Sequence, residues 1–289
     1  MQTRTLFATL ALLLAPLAAQ EKHTLRYTFT PGSVCWSQMD QEVVQDMDMG
    51  ARKMHTSMTS STWMESKVSG IEKGVATLTN RYARIKVKSD APGMKIDYDS
   101  DVEGSRPGAM RQMADLVGKV ATMKTDTRGK IMEITFPEDM GDAFESVATS
   151  LKAGMEQSFV YFPEEAVAVG DTWQTHLEIP MDKVGAMKVV ATNKLTAVNG
   201  DTCKVDISMS FDTSGLTMPS GMQLTVKESS GSMTVSTQHV VPVESTMKMV
   251  MKMGSAEAGV DMTMSMNMTM KQVPAPAPKP AAEKKEGGK

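Results

Sequence analysis

The chain has 289 residues, enough for one large domain or two modest ones, with 41% hydrophobic and 22% charged residues in globular proportion. Thirty-one Lys and Arg against 34 Asp and Glu leave a net charge of -3, so no basic excess drives nucleic-acid or anionic-membrane binding. Aromatics at 5% are too few for base-stacking platforms, whereas methionine reaches 29 residues, displacing Leu and Ile from the bulk aliphatic role.

Residues 1–20 read as a secretory signal. Arg4 supplies the positive start, Leu6 to Leu14 a short apolar run, and Ala18-Ala19 the small residues before polar Gln20-Glu21-Lys22. The run is too short to span a bilayer, and no other stretch approaches 18 apolar residues, so stable membrane insertion is not expected. The expected location is the periplasm or cell envelope, or the outside. The absence of a cysteine at the cleavage region argues against a lipid anchor.

From 21 to 136 the chain reads as a first β-rich pseudo-repeat. Thr77 to Val87 and Ala121 to Ile134 alternate with period two, and Ser69-Gly70 and Arg128-Gly129 read as turns. Met47, Met49, Met54, Met58 and Met64 form a sparse methionine series. Asp97, Asp99, Asp101 and Glu103 alternate as a calcium loop begins, but Val102 and Gly108 stand where Gly and Glu are needed; a solvated strand end is the better reading. A short helix opening at Pro107 puts Met110, Met113, Ala114 and Val117 on one face.

A helical connection is expected over 137–162. It places Met140, Phe144, Val147, Ala148 and Leu151 on one face, with Glu138, Asp139 and Asp142 where the helix dipole favours negative charge. Both helices are expected between the two β-rich halves.

The second β-rich pseudo-repeat runs over 163–273, with strands at Lys204 to Phe211, Met222 to Val226, Met233 to Thr237 and Met247 to Met253, and turns at Asn199-Gly200-Asp201 and Ser230-Gly231. Order and spacing echo the first half: Pro31 to Trp36 against Val169 to Trp173, Met47 to Met54 against Met181 to Met187, and Val68 to Leu78 against Ala197 to Val205. Residues 274–289, rich in Pro, Ala and Lys, read as a disordered tail. The fold class is mainly β, α+β at the margin, with antiparallel meanders in two pseudo-repeats and one or two mid-chain helices.

The Met-x-Met runs, Tyr98-Asp99-Ser100, the mid-chain helix and Val169-Gly170-Asp171-Thr172-Trp173 resemble a family of exported bacterial proteins of unknown function. The resemblance implies an antiparallel β-rich fold and an envelope location, and it brings no catalytic residues.

The last hairpin carries the functional signal. Met247, Met249, Met251 and Met253, then Met262, Met264, Met266, Met268 and Met270, occupy alternate positions, so each strand has a methionine stripe opposite a mostly polar face. Three readings follow. The nine thioethers are the candidate surface for a lipid or other apolar guest, held in a groove that two methionine-lined sheets enclose, because methionine repacks around varied shapes. They are a soft-metal surface for Cu(I) or Ag(I), since thioethers suit those ions. Or they are a methionine-filled structural core with no ligand.

No cofactor and no metal ligands are assigned. Ser245 and Lys248 match S-x-x-K, but on a strand they point to opposite sides. No nucleophile elbow, zinc-helix, P-loop or dinucleotide motif occurs, and His23, His55, His176 and His239 are scattered, so no enzyme activity is expected. His55 is expected on the face opposite Met54 and Met58. Cys35 and Cys203, the only cysteines, are read either as free thiols or as a disulfide that export would permit.

Overall fold

In the computed structural model the described residues are 21–50, 52–105, 111–137, 148, 152, 155, 160–181, 185–218, 221–239, 241–255 and 259–276. The expected signal at 1–20 and the tail beyond 276 lie outside them.

The alternating segments form strands, and the strands are longer than the period-two windows alone suggest. In chain order they are β1 (Lys22–His23), β2 (Val34–Asp48), β3 (Lys53–Glu72), β4 (Val75–Ala91), β5 (Met94–Asp99), β6 (Val120–Thr125), β7 (Ile131–Thr135), β8 (Val167–Ala168), β9 (Thr172–Met181), β10 (Gly185–Asn199), β11 (Thr202–Asp212), β12 (Gln223–Ser236), β13 (Glu244–Ser255) and β14 (Val260–Val273). All but β1 and β8 join one 12-stranded antiparallel sheet in the order β7-β6-β4-β3-β2-β14-β13-β12-β11-β10-β9, with β5 also pairing β4. The two meanders are adjacent blocks of this sheet, joined where β2 pairs β14 from Val273↔Trp36 to Asp261↔Asp48. A single sheet therefore carries both methionine series, rather than two facing sheets.

Two expected turns are not turns. Ser69-Gly70 lies inside β3, at a bulge between Val68 and Gly70 that adds local twist. Ser230-Gly231 lies inside β12, which runs on as one strand. Glycine is needed at 231 for close approach, since a Cβ there would stand 2.5 Å from the Thr246 carbonyl oxygen. Gly231→Val is expected to lose about 1–3 kcal/mol by overpacking and to disturb the β12–β13 register; an unchanged urea midpoint would refute this. The Asn199-Gly200-Asp201 and Arg128-Gly129 turns form as expected, with Gly129 at φ +86° and a Cβ there 2.7 Å from the Tyr27 ring.

Helix α1 (Arg111–Ala114) is a single turn between β5 and β6, within the first meander rather than between the halves. Met113, Ala114 and Val117 pack on Tyr82, Ile85, Val87 and Tyr98 as their spacing implies, and Leu116 is buried with them. Met110 lies outside the described residues. Of the longer helix, Ala148, Lys152 and Met155 are helical; Ala148 packs on the same cluster and Met155 on Val68, Leu78 and Met123. Its remaining expected face lies outside the described residues. Among the described residues no helix is long and apolar enough to cross a membrane.

The other flank is packed by two irregular segments. Leu25 and Tyr27, with Val160 and Phe162, bury against Leu195, Cys203, Val205, Met233 and Val235. These segments also tie the ends of the sheet together. Tyr27 N–H donates to Thr127 O, Thr28 N–H to Thr237 O, and Phe162 N–H to Arg128 O at 2.8 Å, while Arg128 Nε donates back to Phe162 O at 2.9 Å. Satisfying these backbone groups where the sheet ends spares them a buried, unpaired state.

Candidate functional site

Cross-strand partners share a face, so register locates the methionine stripes. One row reads Trp173–Asn193–Ile207–Gly231–Met247–Met268–Gln41–Ser60–Val87–Tyr98 across β9 to β12, β13, β14, β2, β3, β4 and β5. Its ends are packed: Ile207 and Asn193 are buried on one side, Val87 and Tyr98 on the other. This is the inner face, the one that carries the clusters at both flanks. The nine methionines of the last hairpin all lie on it, paired Met247↔Met268, Met249↔Met266, Met251↔Met264 and Met253↔Met262, with Met270 opposite Ser245.

Between the packed flanks this face is only half covered. Met247 and Met270 are buried at 7% and 6% exposure; Met249, Met251, Met253, Met262, Met264, Met266 and Met268 are half-buried. Met39, Val43, Met47, Met54 and Met58 continue the floor on β2 and β3, also half-buried. The structure thus brings the sparse N-terminal series onto the face of the C-terminal stripe; Met49 is the exception, 38% exposed in the β2–β3 turn. The result is a strip of thioether and aliphatic groups, half-covered between two packed flanks as the floor of a trough would be, neither a closed core nor an exposed patch.

Two groups in this floor carry no period-two apolar signal. Gln41 Nε2 donates to Met266 Sδ at 3.1 Å, and Gln45 Nε2 to Met262 Sδ at 2.9 Å. They alternate with Met39, Val43 and Met47 on β2, whose mixed faces hide its amphipathy. Their amide donors are matched to sulfur acceptors, which lowers the cost of glutamine on an apolar floor.

The opposite face is polar and internally paired. His55 Nδ1 lies 2.8 Å from Asp46 Oδ1, away from Met54 and Met58 as its parity implies. Arg81 and Arg84 stack over Trp36 and Trp63, and Lys248 pairs Glu228 at 3.0 Å. Ser245 points inward, 3% exposed, so it and Lys248 stand on opposite sides of β13. The acidic run ends in ion pairs rather than a cation loop. Arg84 bonds both Asp99 oxygens, at 3.0 and 2.6 Å, and this holds the Asp99 carboxyl below the usual carboxylate range. Among the described residues no group of three or more His, Cys, Asp or Glu is placed to hold a metal ion.

Cys35 and Cys203 are free thiols, each pushed up to about 11 by burial, which suppresses the reactive thiolate at neutral pH. A concavity of about 490 Å³ opens where the two ends of the sheet approach; Lys130, Ile131, Tyr161, Thr175, Leu177 and Asn193 line it.

A model of a family of unknown function (DUF6263) matches the chain twice, over residues 73–151 and 136–239. Among functionally curated proteins, none matches by sequence. Of solved structures, one concerned with lipid–protein interactions in lipovitellin superposes over 88% of this chain with TM-score 0.51 at 10% identity; the chain spans 27% of that protein's length. An outer membrane channel from Pseudomonas putida F1 aligns over 90% of this chain and 100% of its own at 6% identity, with a TM-score of 0.28. At these identities the likeness to lipovitellin is one of fold alone.

Proposed function

The chain belongs to a family of unknown function (DUF6263), and from the geometry of its inner face we propose that it is an exported, non-catalytic carrier that holds a lipid or another apolar guest against the methionine floor. One observation carries this reading. The central methionines stay half-buried while the same sheet face is packed shut on both flanks.

A stripe this apolar, left part-covered, gains by burying itself against a guest at about 25 cal/mol per Å² of apolar surface. Methionine suits such a surface, because three rotatable bonds and a polarizable sulfur let a row of these side chains follow varied acyl shapes, where Leu and Ile would impose one. The fold shared with lipovitellin supports the reading, as does the apolar leader with its charge and small residues, which fits export to the envelope. On the outer face His55 pairs with Asp46, Arg84 with Asp99 and Lys248 with Glu228, which fits a carrier better than an enzyme.

The test is native mass spectrometry on protein purified without detergent from the cells that make it, followed by solvent extraction. The expected result is a mass above the bare chain and a recovered lipid or other apolar molecule. A clean apo mass with an empty extract overturns the proposal.

A further inference from the structure

Register does more than gather the methionines on one face; it aligns four of them in one row. Met253 on β13 pairs Met262 on β14, Met262 pairs Met47 on β2, and Met47 pairs Met54 on β3. Among the described residues no other row of the floor has this run. Met251–Met264 is flanked by Val226 and Gln45, Met249–Met266 by Ser229 and Val43, and Met247–Met268 by Gly231 and Gln41. The four-methionine row lies at the end of the trough beside the β2–β3 and β13–β14 connections, and all four side chains are half-buried, so an ion has access.

We propose that this row is a soft-cation site, taking Cu(I) or Ag(I) through the thioethers of Met47 and Met262 with Met253 or Met54 as the third ligand. Directly paired residues have Cβ atoms about 4.5–5.5 Å apart, and each Sδ sits two bonds beyond Cβ on a freely rotating arm, so sulfurs on adjacent strands converge on one ion. Three strands are within that reach. The outermost pair, Met253 and Met54, is three strand spacings apart, about 14 Å, too far for a single ion to take all four.

The site selects by softness. Thioethers favour Cu(I) over Zn, Mg or Ca, and harder donors are kept away by parity. Asp46, Asp48, His55 and Asp261 occupy the outer face, where His55 holds Asp46 and Lys53 holds Asp48 at 3.2 Å. On the inner face, the Gln45 amide bonded to Met262 Sδ steadies that sulfur beside Met47 while leaving it a lone pair. The cation site stands independently of the apolar guest, because it needs sulfur and not merely apolar bulk.

That difference supplies the test. Silver nitrate is titrated into the mature protein in chloride-free buffer and followed by native mass spectrometry. One tight equivalent is expected. The pair Met47→Leu with Met262→Leu keeps the apolar volume but removes the two central sulfurs, and is expected to weaken silver binding at least tenfold. Met251→Leu with Met264→Leu, in the neighbouring two-thioether row, is expected to leave it unchanged. Binding of an apolar fluorescent probe is read separately on the unaltered protein, so failure of the cation site and failure of the carrier reading stay distinct. Where a variant does not fold, methyl-¹³C-methionine spectra of the unaltered protein decide: at one equivalent, silver should move the Met47 and Met262 methyls and leave Met249 and Met266 in place. No defined stoichiometry, equal weakening by both pairs, or shifts spread over the whole floor each overturn the proposal.

Discussion

Replacing Met249 and Met266 together by glutamine is expected to empty the trough while leaving the protein folded. The two are direct cross-strand partners at its centre and both are half-buried. Glutamine matches methionine in length and flexibility, so packing against neighbours is largely kept. An amide turned toward an acyl chain loses water without gaining a partner, at a cost of about 1–3 kcal/mol per group. For the pair, an affinity loss on the order of a hundredfold follows. Purified variant protein should carry far less extractable lipid, and a displaced fluorescent fatty-acid probe should report the weakened binding. The matching pair Met249→Leu and Met266→Leu should retain the guest, since apolar surface is preserved. Equal lipid recovery from the glutamine and unaltered proteins would remove the inner face as the binding surface. Loss of lipid from the leucine pair as well would show that adaptability, not apolarity alone, is what the guest requires.

The second large effect is expected at Phe162, in the packed flank of the sheet. Its ring is fully buried, lies 4.8 Å from that of Tyr27, and sits among Leu25, Val160, Leu195 and Val205. Its backbone makes both hydrogen bonds to Arg128 that tie the sheet's ends. Phe162→Ala removes the ring from a core that is anchored on all sides and relaxes little, so a loss of about 3–5 kcal/mol is expected. Urea unfolding followed by far-UV circular dichroism measures it. A change below about 1 kcal/mol would mean the irregular segment is not a structural tie. Because Phe162 packs in the flank cluster of Leu25, Val160, Leu195 and Val205, any guest retained by folded variant protein should bind as before.

Much of this fold was legible along the chain because side chains alternate across a strand regardless of what the strand pairs with. The stripe at Met262 to Met270, the outward parity of His55 and the split of Ser245 from Lys248 needed only period two. Elsewhere local signals misled. Ser230-Gly231 carries turn residues but is a close approach of β12 to β13, decided by the Thr246 carbonyl and not by neighbours in sequence. The short helix at Met113 was visible as a face but not as an element inside the first meander, because chain order does not say which strands it will sit upon. β2 was the hardest strand to read: Gln41 and Gln45 look solvated in sequence and become floor residues only when Met266 and Met262 arrive beside them.

Composition, fold class and the sidedness of each strand are thus written along the chain. The meeting of β2 with β14, across some 225 positions, belongs to long-range packing. So does the gathering of the methionines on one sheet rather than two, with its flanks filled and its centre half open. The cause is the translational symmetry of a strand. Sliding β14 along β2 by two residues, so that Val260 meets Met47, keeps every methionine on the inner face and sidedness unchanged, yet it breaks the row of Met253, Met262, Met47 and Met54. Faces are local and survive such a slip; rows belong to the register, which long-range packing sets.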